Sequence, residues 1–146
     1  MKHLNIYIHF KDNCEEAFNF YQSVLGGEYE ALSRYSELPP QEGMPPVAEA
    51  DKNLILHMTL PIGNTTKLMG SDMAGGWAAG LNPGNNFSVS LQTESKEEAD
   101  HTFSGLSEGG KVTMPMQDTF WGSYFGSFQD KYGINWMINF DPAAAG

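Results

Sequence analysis

The sequence carries one pattern twice. The letters EEA at residues 15–17 return at residues 97–99, an offset of 82 positions, and a glycine pair follows at residues 26–27 and again at residues 109–110. Each copy starts with an alternating apolar and polar segment, LNIYIHF at residues 4–10 and FSVSLQ at residues 87–92. Such alternation is typical of a strand with two different faces. A duplicated unit of one strand, one helix and further strands therefore constrains the fold more than any other feature.

Both predicted helices have a start signal and an end signal. Asn13, with Glu16 three residues later, and Ser95 with Glu98 are typical helix starts, and each glycine pair is a typical helix end. Apolar residues at helical spacing predict one buried face for each helix. In the first helix they are Ala17, Phe20, Tyr21, Val24 and Leu25, and in the second they are Ala99, Phe103 and Leu106.

Strand-like segments follow each helix, so the sequence predicts an α+β fold of two βαβββ modules. These segments cover residues 28–35, 54–60 and 66–69 in the first module and residues 111–114, 121–128 and 134–140 in the second. We place module one at about residues 1–72 and module two at about residues 84–141, within one domain of 146 residues. Residues 36–53, rich in proline and acid, and residues 70–85, rich in glycine, are predicted to be loops at the rim of a site.

Four strands separate an apolar row from a less apolar row. The second rows hold Asn5, Tyr7 and His9; Ile55, His57 and Thr59; Ser88, Ser90 and Gln92; and Asn135, Met137 and Asn139. Solvated sheet faces favour Lys, Glu and Arg, whereas these rows contain amides, hydroxyls, a methionine and two histidines. We interpret them as the wall of a partly shielded pocket; the alternative is a face that simply meets water.

Composition excludes several classes of function. The formal net charge of −10 repels phosphate backbones and argues against nucleic-acid binding. The first ten residues lack a signal-peptide pattern, no segment is long and apolar enough for a membrane helix, and a single cysteine forms no internal disulfide. We expect a cytoplasmic protein without a membrane partner.

Three longer passages resemble the vicinal oxygen chelate superfamily, and within it the PhnB-like, glyoxalase/bleomycin-resistance-like branch. They are NCEEAFNFYQSVLGGE from Asn13, GNNFSVSLQTESKEEAD from Gly84 and GGKVTMPMQDTFWGSYFGSFQDKYGINWMIN from Gly109. The resemblance implies modules whose curved mixed sheets form a cup with helices outside, a ligand inside the cup, and a homodimer. Some relatives carry the label of a ubiquinone-pathway methyltransferase. Here GGWAAG at residues 75–80 lies in a predicted loop with no strand before it, so we do not expect methyl-donor binding.

Metal-using members of this superfamily take ligands from the first and last strands of each module. Transferred to this sequence, those places fall on Asn5, Met69, Asn86 and Met137. Neutral amides and thioethers are poor ligands for Zn, Ni, Fe or Mn. We therefore expect no metal cofactor of the superfamily type. A rearranged site with His9, His57 and Asp72, holding a divalent metal, is the alternative.

The candidate ligand contacts are Tyr7, His9, Arg34, His57, Ser90, Trp121 and Tyr124. His9 and His57 are also the candidate catalytic groups, because imidazole exchanges protons near neutral pH, although single histidines in strands more often serve packing. Aromatic rings suit planar ligands, but Tyr7, Trp121 and Tyr124 are equally suited to a core or a dimer interface. Arg34 can grip an anion or join a surface ion pair. Cys14 is expected to be a small buried filler.

Three hypotheses for function remain, in this order. The first is a metal-free protein that binds a small aromatic or amphipathic molecule. The second is a lyase or oxygenase-type enzyme using His9 and His57, with or without a divalent metal. The third is an interaction protein whose aromatic strands serve only dimerisation.

Overall fold

The computed structural model describes residues 1–142, which form two compact units divided between Asn82 and Pro83. The first unit contains β1 (Ile6–Phe10), α1 (Cys14–Leu25), β2 (Ala31–Arg34), β3 (Ile55–Ile62) and β4 (Thr66–Asp72). The second contains β5 (Val89–Thr93), α2 (Lys96–Ser107), β6 (Lys111–Asp118), β7 (Tyr124–Gln129) and β8 (Asn135–Phe140). Short 3-10 helices lie at Tyr35–Glu37, Glu49–Asp51 and Gly75–Gly80.

Each unit contains a four-stranded mixed sheet with the same connectivity. The strand order is β1-β4-β3-β2 in the first unit and β5-β8-β7-β6 in the second. The pairs β1–β4 and β5–β8 are parallel, and the other pairs are antiparallel. The predicted α+β class with two βαβββ modules is therefore confirmed, and we call the two units module one and module two.

Helix α1 buries a face slightly rotated from the predicted one. Its fully buried residues are Cys14, Ala17, Phe18 and Tyr21, whereas Phe20 is only half-buried. A glycine explains the close approach of Phe18, because a Cβ on Gly70 of β4 would lie 2.7 Å from the Phe18 ring. The ring thus packs directly on the β4 backbone, so Phe18, which the predicted stripe omitted, belongs to the buried face.

The predicted Asn13 cap is replaced by a carboxylate from another element. Asn13 makes no side-chain cap. Instead the backbone N–H of Cys14 donates to Asp72 Oδ1 at 2.9 Å, and the N–H of Ile55 donates to Asp72 Oδ2 at 2.8 Å. Asp72 is 2% exposed, and its own carbonyl accepts a 2.7 Å hydrogen bond from the Tyr35 hydroxyl. One buried carboxylate thus holds the start of α1 and the start of β3 to the end of β4.

Two sets of local hydrogen bonds fix the start of α2 and the β7–β8 turn in module two. The Ser95 hydroxyl caps α2 by accepting from the Glu98 N–H at 3.0 Å, as predicted. In the β7–β8 turn, the buried Asp130 accepts hydrogen bonds from the backbone N–H groups of Tyr132 and Ile134 and, at 2.8 Å, from the indole of Trp136. The aspartate therefore explains part of the distinctive DKYGINW segment.

Several strand limits differ from the predicted ones. β4 continues through Gly70 to Asp72, and β6 continues to Asp118 with register irregularities around Pro115, which an edge strand tolerates. At the start of β3 a register shift opposite Ser33 and Arg34 breaks the alternation, so Ile55 is buried rather than on the polar row. A bulge of this kind turns a side chain to the other face, and only pairing with a neighbouring strand creates it.

Cys14 is fully buried, as expected for a filler residue. Burial, followed by the negative charges of Asp72 and Glu15, raises the pKa of its thiol far above the ordinary value. In residues 1–142, no helix has the length and apolar character needed to cross a membrane.

Replacing Asp72 by Asn should destabilise the protein by about 1–3 kcal/mol, because an amide nitrogen would face one of two buried N–H donors and leave it unsatisfied. The free energy of unfolding in urea measures this. Asp12→Asn is the matched control, since Asp12 is exposed and has φ 71, a conformation that Asn tolerates well. Equal stability of the two variants would contradict the role given to Asp72.

Candidate functional site

The helix-free face of the module one sheet carries a cluster of two histidines and a tyrosine. Strand pairing puts Tyr7 opposite Met69, and Met69 opposite Thr59, while His9 lies opposite Ser71. Across these strands the Tyr7 ring lies 5.0 Å from the His9 ring and 5.6 Å from the His57 ring, centroid to centroid. The structure thus brings together the predicted residues Tyr7, His9 and His57, which we call the histidine cluster.

His57 is held at both ring nitrogens. Its Nδ1 lies 3.3 Å from the Tyr7 hydroxyl, and its Nε2 lies 2.8 Å from Thr59 Oγ1. A neutral imidazole has one donor and one acceptor, and a hydroxyl serves as either. Both tautomers of His57 therefore satisfy this hydroxyl–imidazole–hydroxyl chain, and a protonated ring would donate to both oxygens.

The outer part of the cluster is open to a ligand. Tyr7 is 44% exposed, His9 is exposed and His57 is half-buried, whereas the neighbouring Thr59 and Ser71 are buried. Ser71 Oγ lies 3.5 Å from His9 Nδ1, at the limit of a hydrogen bond. The buried hydroxyls thus lie within contact of the histidine rings, while Tyr7 and His9 remain accessible.

The corresponding face of module two is polar and carries no histidine. Ser90 is exposed and lies opposite Met137. Next to it the Asn139 amide donates to Gln92 Oε1 at 2.8 Å. Hydroxyls and amides in these positions offer hydrogen bonds without charge.

Aromatic rings lie at one end of this second face. Trp121 precedes β7 and is 58% exposed, and its ring contacts Phe125 at 6.4 Å and Phe120 at 4.9 Å. Phe125 is paired with Asn139, so it lies on the same face as the amide pair. Trp121 is therefore available for contact with a planar or apolar group.

Arg34 does not point to the histidine cluster. Its guanidinium donates to both carboxylate oxygens of Glu15, at 3.1 and 2.7 Å, and to the Asn53 carbonyl at 2.8 Å. This bond to Arg34 holds the pKa of the Glu15 carboxyl below its ordinary value, with burial opposing. The arginine thus ties α1 to the β2–β3 region.

Tyr124 faces α2 rather than the open side of module two. Its hydroxyl donates to Asp100 Oδ1 at 2.6 Å, and Lys96 Nζ lies 4.7 Å above its ring. The bond to Asp100, with burial and the charge of that carboxylate, raises the pKa of Tyr124 to about 12. Tyr124 and Ser90 therefore lie on opposite faces of their sheet.

The superfamily's metal positions hold poor metal ligands. Asn5 Oδ1 already accepts from the Lys67 N–H at 3.2 Å, and Met69 and Met137 offer only thioethers. The carboxylate of Asp72 is held by α1 and β3, so it does not complete a site with His9 and His57. Among residues 1–142, no group of three or more His, Cys, Asp or Glu side chains is arranged to bind a metal.

The expectation that no strand precedes GGWAAG is wrong, since β4 ends only three positions before Gly75. The segment nevertheless forms a short 3-10 helix at Gly75–Gly80, and the Gly75 N–H donates to Asp51 Oδ2 at 3.2 Å. A carboxylate at this position repels phosphate, so the turn does not resemble a nucleotide cradle.

Sequence reasoning missed Ser71 as a neighbour of His9. The alternation of side chains continues through Met69 and Ser71, which could have placed Ser71 on the polar row. The predicted strand ended at Met69 because Gly70 was assigned to the loop that follows. Thr59 was placed on the correct row, although its contact with His57 required the fold.

The comparisons with known proteins agree with this architecture. The model of the Glyoxalase/Bleomycin resistance protein/Dioxygenase superfamily matches residues 3–138. Protein YjdN of Escherichia coli is 31% identical over 141 residues, which is 93% of each chain. The crystal structure of protein PA1353 from Pseudomonas aeruginosa is 35% identical with a TM-score of 0.79, covering 95% of this chain and 97% of that one.

A further solved structure is described as a putative 3-demethylubiquinone-9 3-methyltransferase, PhnB protein, from Bacillus cereus. It is 26% identical with a TM-score of 0.67, covering 94% of this chain and 98% of that one. The family model and these similarities extend over both βαβββ modules. The chain belongs to the Glyoxalase/Bleomycin resistance protein/Dioxygenase superfamily, with PhnB-like proteins among its structural neighbours.

Proposed function

We propose that this protein binds a small molecule against the open face of the module one sheet, as a metal-free member of its superfamily. The observation that carries the proposal is the histidine cluster, in which His57 is fixed at both nitrogens while Tyr7 and His9 remain accessible. Ordered polar groups beside aromatic surface are what a binding site for a small ligand requires. The ligand class that fits is a partly aromatic molecule with oxygen or nitrogen hydrogen-bonding groups.

The cluster supplies orientation as well as affinity. Thr59 and Tyr7 hold the His57 ring in place, so a ligand contacting that ring meets a preorganised partner. In module two, Ser90 and Trp121 are proposed as contacts for a ligand on that module's own open face, because both are exposed. Arg34 and Tyr124 have no ligand role in this proposal, since Glu15 and Asp100 already engage their polar groups.

An enzyme is the second candidate, and the Tyr7–His57–Thr59 chain favours it. The chain offers both a donor and an acceptor at either end, so Tyr7 would exchange a proton with a substrate while His57 takes up or releases one. Proton transfer to or from an enolisable or hydroxylated substrate is the chemistry that such a relay supports. Activity that His57→Ala abolishes and a chelator leaves intact would establish this version.

Within the first proposal, ligand binding depends on His57. His57→Ala should weaken the binding of molecules found by thermal-shift screening by about tenfold, because a fixed hydrogen-bonding partner is lost. Titration calorimetry measures the change, and the melting temperature should move by no more than a few degrees. His101→Ala, an exposed histidine on α2, is the matched control and should bind like the unaltered protein. Equal loss in both variants would refute the assigned site.

We also propose that the protein uses no divalent metal, since the superfamily positions offer amides and thioethers. Calorimetric titration with Zn²⁺, Ni²⁺, Mn²⁺ and Fe²⁺ should show no stoichiometric binding in the micromolar range. Stoichiometric binding would contradict this proposal. Its loss in Met69→Ala would point to the superfamily position, and its loss in His57→Ala would support the rearranged metal site.

A homodimer in the cytoplasm is proposed from the family resemblance and from exposed apolar surface. Phe120 is 98% exposed, and a large apolar group left this open is typical of an interface. The sequence has one cysteine, too few for the internal disulfides that are typical of secreted proteins. Sedimentation velocity should give twice the mass of one chain. The mass of one chain at micromolar concentration would contradict the dimer.

A further inference from the structure

The loop between β2 and β3 lines a partly open cavity, and none of the histidine-cluster residues is part of its lining. Its volume is about 390 Å³, within the range of small-molecule sites. The apolar residues that line it are Tyr35, Leu38, Pro39, Pro40, Met44, Pro45, Pro46 and Val47. All of them except Tyr35 belong to the loop predicted at residues 36–53, and the proposed function does not use this cavity.

Hydrogen bonds join the two ends of the loop, and a turn at residues 41–44 reverses the chain at its tip. The N–H of Ser36 donates to the Lys52 carbonyl at 2.9 Å, and the N–H of Tyr35 donates to the Leu54 carbonyl at 3.1 Å. At the tip Gly43 has φ 83, which allows the reversal between the two proline pairs, and the Met44 N–H donates to the Gln41 carbonyl at 3.2 Å. Two ends joined by hydrogen bonds and a fixed reversal give the cavity a defined shape.

The proline pairs make the walls stiff. Each pyrrolidine ring fixes its backbone φ, so Pro39, Pro40, Pro45 and Pro46 lose little further freedom when a ligand binds. Proline rings pack well on aromatic rings, as proline-rich segments do in aromatic grooves. In this protein the prolines would belong to the site and the aromatic ring to the ligand, so the rigid proline walls suit a planar ring.

Tyr35 supplies a wall that stays uncharged. Its hydroxyl donates to the Asp72 carbonyl, so the ring is held in place at the cavity edge. Burial, followed by the charges of Asp72, Tyr7 and Asp51, raises the pKa of Tyr35 above its ordinary value. The phenol therefore remains neutral and presents aromatic surface to the cavity.

Lys52 is the one charged group in the lining. Its Nζ pairs with Glu49 Oε2 at 2.8 Å, but the two side chains are 45% and 88% exposed. Exposed pairs of this kind are weak, so the ammonium group is able to turn to another acceptor. The lining thus combines apolar walls with a single cation.

We infer that this cavity is a second ligand site, which takes a small aromatic compound bearing an oxygen acceptor such as a carboxylate. The ring packs between the proline pairs and Tyr35, and the oxygen accepts a hydrogen bond from Lys52. The site is independent of the histidine cluster, so each can fail without the other.

The test titrates the full chain with 2-naphthoate as the probe and monitors the backbone amide chemical shifts by NMR. Saturable shifts should concentrate in residues 35–52. Met44→Glu places a charge in the apolar wall and should abolish saturation, whereas Met114→Glu, the same change at an exposed methionine in module two, should leave it unchanged. Lys52→Gln should weaken binding about tenfold by removing the charged donor. Because Met44 is 58% exposed, its replacement should leave the melting temperature unaltered.

His57→Ala separates the two sites and should not alter naphthoate binding. Shifts centred on Tyr7, His9 and His57, binding that Met44→Glu leaves intact, or no saturable binding at all would overturn the inference. The proposed function would survive the last two results, since it rests on the histidine cluster.

Discussion

The buried carboxylate of Asp72 is the interaction on which module one depends. The carboxylate accepts hydrogen bonds from the first N–H of α1 and the first N–H of β3, while the backbone carbonyl of Asp72 accepts one from the Tyr35 hydroxyl. These bonds fix the ends of elements that are distant in sequence against the end of β4. Because the period along a strand is two residues, fixing that end also decides that Met69 and Ser71 face the open side.

The histidine cluster follows from this register. Tyr7 and His9 come from β1, His57 and Thr59 from β3, and β4 lies between those strands. A register slip of one residue in β4 would turn Phe18 against a side chain instead of Gly70 and separate the hydroxyls from the imidazoles. The register of β4 therefore sets both the packing of Phe18 on one face of the sheet and the hydrogen bonds of the histidine cluster on the other.

The two modules share connectivity but not chemistry. Module one anchors its helix with a distant aspartate, whereas α2 is capped by its own Ser95. Their open faces differ as well, since module one presents imidazoles and module two presents hydroxyls, amides and the Trp121 ring. The two modules keep the same backbone plan because both have apolar rows and turns at matching places, while the side chains on their open faces differ.

Sequence alone determined the duplicated βαβββ plan, the two helices, most strands and the rows containing Tyr7, His9 and His57, since local periodicity and capping residues encode them. It did not reveal the role of Asp72, the buried position of Ile55, the pairing of Arg34 with Glu15, or the direction of Tyr124. Only the tertiary structure decided these features, because each depends on groups far apart in the chain meeting across strands. A bulge, a helix cap supplied by a distant residue, or an ion pair produces no periodic pattern in the sequence. The cavity of the β2–β3 loop likewise forms only when both ends of the loop are hydrogen-bonded to each other.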